Sequence, residues 1–328
     1  MLTKNNNQET ITKLFFIIFL VIVSCILVIL RFISNKKNKY KNMDENKNKK
    51  IGFIGQGWIG KNYADDFERR GYEIVRYALE EPYCQNEEKI KDCDIVFIAV
   101  PTPSTPTGFD DSIVRAAVKK VGEGKTAVIK STMLPGVTES IQAENEDKFV
   151  MHSPEFLREV TAAHDAANPD RNIIGLPKQD EEFLRRAEEV LSVLPEAPHK
   201  NICSAKEAEL IKYAGNCYLY IKVVYANLLH DLATELGCDW EKIKHNLTGD
   251  LRIGKTHLDV VHKSGRGAGG HCFIKDFSAF SEMYEKLIGD AKGLAMLNAL
   301  RDKNNDYLIK SGKDLDLLRG VYGENVLK

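Results

Sequence analysis

The 328-residue chain has no patterned cysteine spacing. Its seven cysteines (Cys25, Cys84, Cys93, Cys203, Cys217, Cys238 and Cys272) form no C-x-x-C pair and no matched cysteine–histidine spacing. An odd, unpatterned set argues against a disulfide framework and a zinc site, and for a reducing compartment. No metal is expected. An excess of either charge is missing too. With 46 basic and 47 acidic residues the net charge is -1, so there is no basic surplus to attract nucleic acid, and none is expected as a partner. No internal repeat is apparent.

One long hydrophobic run stands out. Leu14 to Leu30 (LFFIIFLVIVSCILVIL) is uncharged over 17 residues and extends past Arg31 through Phe32 and Ile33. A helix needs roughly 20 residues to cross the hydrocarbon layer. No small-x-small cleavage site follows, and Arg31, Lys36, Lys37, Lys39 and Lys41 form a basic flank. After a tail at 1–13, the run predicts a single-pass transmembrane helix at 14–33, with the lipid bilayer as a partner. The positive-inside rule then keeps the downstream domains cytoplasmic. The Asn/Lys-rich segment 34–50 cannot pack a core and reads as a solvated linker.

From Ile51 short apolar runs alternate with amphipathic stretches: IGFIG, YEIVRYA, DIVFIAV, TAVIKS, KFVMHS and NIIGL. This alternation predicts an α/β domain over 51–200, a Rossmann-like, doubly wound parallel sheet with helices on both faces. After about residue 200 the strand signals stop. Ala205 to Gly237 has no proline and carries Ala208, Ile211, Cys217, Ile221, Leu228 and Leu232 at helical spacing, so it reads as one long helix. Residues 201–328 are expected to form an all-helical domain.

The string GQGWIG places Gly55, Gly57 and Gly60 between a strand and a helix that opens with Trp58 and Ile59. In that context Gly55 permits the tight turn, Gly57 admits a pyrophosphate and Gly60 allows close helix–strand packing. The acidic residue that usually binds the adenine ribose is missing, since Ala78 occupies its place. NAD is the expected cofactor, and Arg76 keeps NADP open. Ligands of parallel sheets sit beyond the carboxyl ends of the strands. Three strands run there into VPTP (Pro101, Thr102), STMLPG (Thr132) and SPEFLRE (Glu155 to Glu159).

Read in order, GQGWIG, VPTP, STMLPG, PEFLRE, PDRNIIG, AELIKYAGN and GAGGHCFIKD resemble the motifs of the UDP-glucose/GDP-mannose dehydrogenase family, from Ile51 to about Lys310. The resemblance implies an NAD-dependent enzyme that oxidises the primary alcohol of a nucleotide sugar to a carboxylate by two hydride transfers. In that chemistry a thiolate holds the aldehyde as a thiohemiacetal and then a thioester. Cys272 matches the nucleophile. Lys212 and Asn216 match the groups that stabilise oxyanions. Thr132, Glu159 and Asp276 match groups that position water or move protons. Glu155, Phe156, Leu157, Arg158 and Gly269 fall in substrate-contacting strings, and Arg252 resembles an arginine that reaches a neighbouring subunit's site. Pro101, Thr102 and Thr132 fall on the cofactor side. The second domain is similar to the 6-phosphogluconate-dehydrogenase type, and its long helix implies a homodimer.

Two departures stand beside the resemblance. The segment from Ala78 to Cys93 is short, and the chain ends about 55 residues after Cys272, without the family's further nucleotide-sugar-binding domain. Binding energy from that remote part of a substrate helps drive chemistry. A hydroxyacid or 6-phosphogluconate-type dehydrogenase, and a non-catalytic membrane-tethered NAD-binding or assembly protein, therefore remain as alternatives.

Overall fold

In the computed structural model, which describes residues 48–327, the six apolar runs and one polar strand form a seven-stranded sheet. Strands β1 (Ile51–Ile54), β2 (Ile74–Tyr77), β3 (Ile95–Ile98), β4 (Thr126–Ile129), β5 (Phe149–His152), β6 (Arg171–Leu176) and β7 (His199–Ser204) lie in the order β2-β1-β3-β4-β5-β6-β7. Every residue of β1, β3 and β4 is buried. Successive side chains point to opposite faces, so a continuous apolar run is what a sheet covered on both sides requires. Phe53, Ile95 and Phe97 pack with Phe67 and Val128 on one face. Ile54, Val96 and Ile98 pack with Val114, Val118 and Ile129 on the other. Phe53 stacks on Phe97 and meets Phe67 edge-on, each at a centroid distance of 5.3 Å.

The helices of six residues or more are α1 (Trp58–Arg69), α2 (Ser112–Lys119), α3 (Val137–Ala143), α4 (Ala162–Ala167), α5 (Glu181–Val193), α6 (Ala205–Glu235), α7 (Trp240–Leu247), α8 (Gly270–Leu287), α9 (Ala291–Ser311) and α10 (Leu315–Tyr322). The long helix α6 starts at a capping box. Ser204 Oγ accepts from Glu207 N at 3.3 Å, and Glu207 Oε2 accepts from Ser204 N at 2.8 Å. Its first turns lie directly on β6, where a Cβ on Gly175 would fall 2.6 Å from Ala208 Cβ. Further along, Tyr220 stacks on Phe277 of α8 at 4.0 Å.

Several expectations are corrected. The sheet is not wholly parallel, because β5 and β6 pair antiparallel at His152 and Gly175. The segment between them carries only a 3-10 turn at Glu159–Thr161 and the six-residue α4, and the chain folds back instead of crossing over. β7 went unseen because HKNICS is polar and largely exposed, as an edge strand is, and it runs across the expected boundary at 200/201. The second part is not all-helical, since Val261–His262 pairs with Gly265–Arg266 in a short hairpin.

The expected transmembrane helix is also corrected. Among the described residues no helix is long and apolar enough to cross a membrane, and 14–33 itself lies outside them. The 31-residue α6 has the length, but Lys206, Glu207, Glu209, Lys212, Lys222, Asp231 and Glu235 punctuate it. The single-pass location with cytoplasmic domains and the bilayer partner are withdrawn.

Candidate active site

The strand order reverses between β1 and β3, and there the carboxyl edge of the sheet opens a crevice suited to a dinucleotide. The glycine loop leaves β1 into this crevice. Gly55 adopts φ 91°, and a Cβ there would lie 2.3 Å from Ala99 O, so the turn packs against the end of β3. A Cβ on Gly60 would fall 1.9 Å from Gly55 O, which brings α1 against the loop. Gly57 differs: a Cβ would meet nothing within 4 Å. It is also the N-cap of α1, and no side chain caps that helix. Open space over uncapped backbone N–H groups suits a pyrophosphate. Trp58 is exposed beside it, Ile59 half-buried, Pro101 exposed and Thr102 buried across the crevice.

At the ribose end β2 stops at Tyr77 and Ala78 is buried without a polar group to offer. Arg76 does not reach into the crevice as a free cation. Its guanidinium donates to Asp65 at 2.7 Å and Glu68 at 2.8 Å.

The second half of the site gathers on α6 and α8. Lys212 is buried, and its Nζ donates to Glu155 Oε1 at 2.6 Å and to Glu155 O at 2.8 Å. An ammonium has three N–H donors, so one remains for a ligand. Burial works against the Lys212 charge. Glu155, Cys272 and Asp276 outweigh it and hold the group above the ordinary lysine range. Asp276 is buried on α8, one turn beyond Cys272. Its carboxylate accepts from Asn216 Nδ2 and from Lys275 Nζ, each at 2.6 Å. Cys272 itself is exposed at the mouth. Packing around the sulfur pushes the thiol above its usual range; Lys212 pulls it down, while Asp276 and Glu155 push it up. Lys212 and Cys272 thus each feel the other's charge and those of Asp276 and Glu155.

Thr132 is half-buried on the loop after β4. The SPEFLRE loop turns on itself, as Leu157 N donates to Glu155 Oε2 at 2.8 Å. Phe156 lies under the Arg171 guanidinium at 3.7 Å and within 5.8 Å of Lys212 Nζ. The sequence candidates do not all converge. Arg158 is tied to Asp165 through its Nε and Nη2, and Glu159 is exposed in an ion pair with Lys263 at 2.7 Å. Arg252 stands in an exposed loop, paired only locally with Asp250. A Cβ on Gly269 would collide with Asp314, so its missing side chain makes room for the protein itself.

Other residues were not foreseen. Glu209, wholly buried one turn before Lys212, accepts from Gly136 N at 2.6 Å, Thr138 N at 2.9 Å and Thr138 Oγ1 at 2.6 Å. It pins the STMLPG loop to α6 as Lys212 pins SPEFLRE. The signal was present: Glu209 and Lys212 share the helical face of Ala205 and Ala208, where apolar side chains are the rule. Lys130, buried after β4, donates to Ser153 Oγ at 3.0 Å and stands over the Tyr63 ring at 4.5 Å.

Comparison with known proteins agrees with this geometry. Residues 81–194 match the NAD binding domain of the UDP-glucose/GDP-mannose dehydrogenase family, and residues 206–306 match its central domain. The chain is 32% identical over 276 residues to UDP-glucose 6-dehydrogenase of Rickettsia typhi, covering 79% of this chain and 62% of that protein. It is 34% identical over 281 residues to UDP-glucose 6-dehydrogenase TuaD of Bacillus subtilis, covering 72% and 59%. A solved UDP-glucose dehydrogenase from Pyrobaculum islandicum superposes with a TM-score of 0.69 at 28% identity, covering 80% of this chain and 70% of that one. The chain thus spans about three fifths of the length of these curated relatives. With both of its domains matched in order along one continuous fold, the chain belongs to the UDP-glucose/GDP-mannose dehydrogenase family.

Proposed function

We propose that the chain is an NAD-dependent nucleotide-sugar 6-dehydrogenase of the UDP-glucose dehydrogenase type, which turns the primary alcohol of its sugar into a carboxylate. The observation that carries this reading is Cys272 one helical turn from the buried Asp276, whose carboxylate accepts from Asn216, itself one turn beyond the buried Lys212. A hydroxyacid-type site has no use for that sulfur.

Bound with its pyrophosphate over Gly57 and the start of α1, NAD would supply the hydride acceptor, one molecule for each of the two hydrides in succession. The tethering of Arg76 by Asp65 and Glu68 favours NAD over NADP, whose extra phosphate needs a free cation. The third N–H of Lys212 and the amide of Asn216 are suited to hold the alkoxide that forms at the sugar's C6. Cys272 Sγ adds to the aldehyde carbon, and the proton of the thiol leaves toward Asp276, one helical turn away. After the second hydride departs, water attacks the thioester carbon, the sulfur leaves as thiolate and the acid is released.

The same reading includes a homodimer through α6. Tyr218, Tyr225, Leu228 and Leu232 form an exposed apolar stripe along it, spaced by three, four or seven residues. Sedimentation at the monomer mass of 37.0 kDa would exclude it.

The test is to incubate the full chain with NAD and UDP-glucose, GDP-mannose or UDP-N-acetylmannosamine. NADH should appear with at least one sugar and be lost in Cys272→Ser. NAD binding without NADH from any sugar would favour a non-catalytic protein.

A further inference from the structure

The stretch leading into Cys272 contains Gly265, Gly267, Gly269 and Gly270, a composition that by itself leaves a backbone loose. Here the end of α9 and the turn after it hold the stretch along its whole length. Ser311 Oγ accepts from Arg266 N at 3.0 Å. Asn304, fully buried, brackets Ala268: its Oδ1 accepts from Ala268 N at 2.7 Å and its Nδ2 donates to Ala268 O at 3.0 Å. Lys313, 3% exposed, donates to Gly267 O at 2.9 Å and to Gly265 O at 3.3 Å. Asp314 Oδ2 accepts from Gly270 N, the first residue of α8, at 2.7 Å.

The glycines are shaped to this clamp. A Cβ on Gly265 would fall 2.4 Å from Ser311 Cβ, and one on Gly269 would fall 2.1 Å from Asp314 Oδ2. Gly269 is the N-cap of α8 and has no side chain with which to cap it. Asp314 supplies the missing acceptor from another element, two residues from Cys272. It does so at φ 55°, a left-handed conformation that a residue with a Cβ adopts at a cost.

We propose that Asp314, backed by Asn304 and Lys313, is the positioning residue of Cys272. It fixes the first turn of α8 and thereby the place of the thiol relative to Lys212. The proposal rests on the reading of Cys272 as nucleophile.

The test compares Asp314→Gly and Asp314→Asn in the full chain. Glycine takes φ 55° without strain, so its effect reports on the carboxylate alone; asparagine keeps an oxygen acceptor and tolerates the conformation. Asp314→Gly should speed amide exchange across 265–272 about tenfold or more, with exchange in α6 unchanged. It should also lower kcat about tenfold while KM for NAD stays within about twofold. Asp314→Asn should bring both back to within about threefold of wild type. Unchanged exchange, or faster exchange with unchanged kcat, would overturn the proposal. If the wild type oxidises no sugar, the functional reading has failed and alkylation of Cys272 by iodoacetamide decides instead. A rate altered about fivefold by Asp314→Gly supports positioning, and an unaltered rate overturns it.

Discussion

Beneath the site three basic groups, Lys130, His152 and Lys212, crowd together, and one carboxylate, Glu155, stands near the two lysines. Only Lys212 has that carboxylate as a partner. Burial pushes Lys130 down to about 7, with Glu155 pulling the other way. His152 is fully buried, neither ring nitrogen has a hydrogen-bond partner, and burial with the two lysines pushes it down to about 3. Below the ordinary histidine range the unfolded chain binds a proton that the folded chain refuses. The contribution of His152 to stability is therefore full above about pH 6.5 and falls as the pH drops from there toward 3, by up to about 1.4 kcal/mol per unit. His152→Leu should flatten that slope, as read by urea unfolding at neutral and acid pH. An equally steep slope in the variant would remove His152 as its source.

The turn between β1 and α1 shows how one element separates folding from binding. Gly60→Ala places a methyl group against the Gly55 carbonyl, where only backbone movement relieves the clash, and should destabilise the fold by about 2 kcal/mol or more. Gly57→Ala meets open space, so thermal stability should hardly move while NAD affinity drops about tenfold. Unchanged NAD affinity in Gly57→Ala would mean that Gly57 faces no ligand. The periodicity of α6 gave its extent but not its faces. Leu228 and Leu232, apolar and in phase, point outward, whereas the charged Glu209 and Lys212 are buried. Hydrophobic spacing registers a face without saying what covers it, and a buried ion pair is invisible to it until its partner is placed.

Across the whole molecule, what was legible in the sequence was local or carried by a motif: the glycine turn, the apolar strands, and Cys272 with Asp276 one turn apart. What was not legible depends on distant contacts. The antiparallel return of β6, the polar edge strand β7, the Glu209 anchor and the clamp from Asn304 to Asp314 each join segments whose partner is far along the chain. Arg252 is marked by its string alone, and among the described residues it pairs with Asp250, two positions away. The proposed function joins a dinucleotide site to a thiol that retains the aldehyde between two oxidations. The most direct measurement is the amount of NADH formed per nucleotide sugar consumed by the full chain. Retention on Cys272 predicts a ratio of about two with no free aldehyde; a ratio of about one, with aldehyde or another single-oxidation product released, would contradict it.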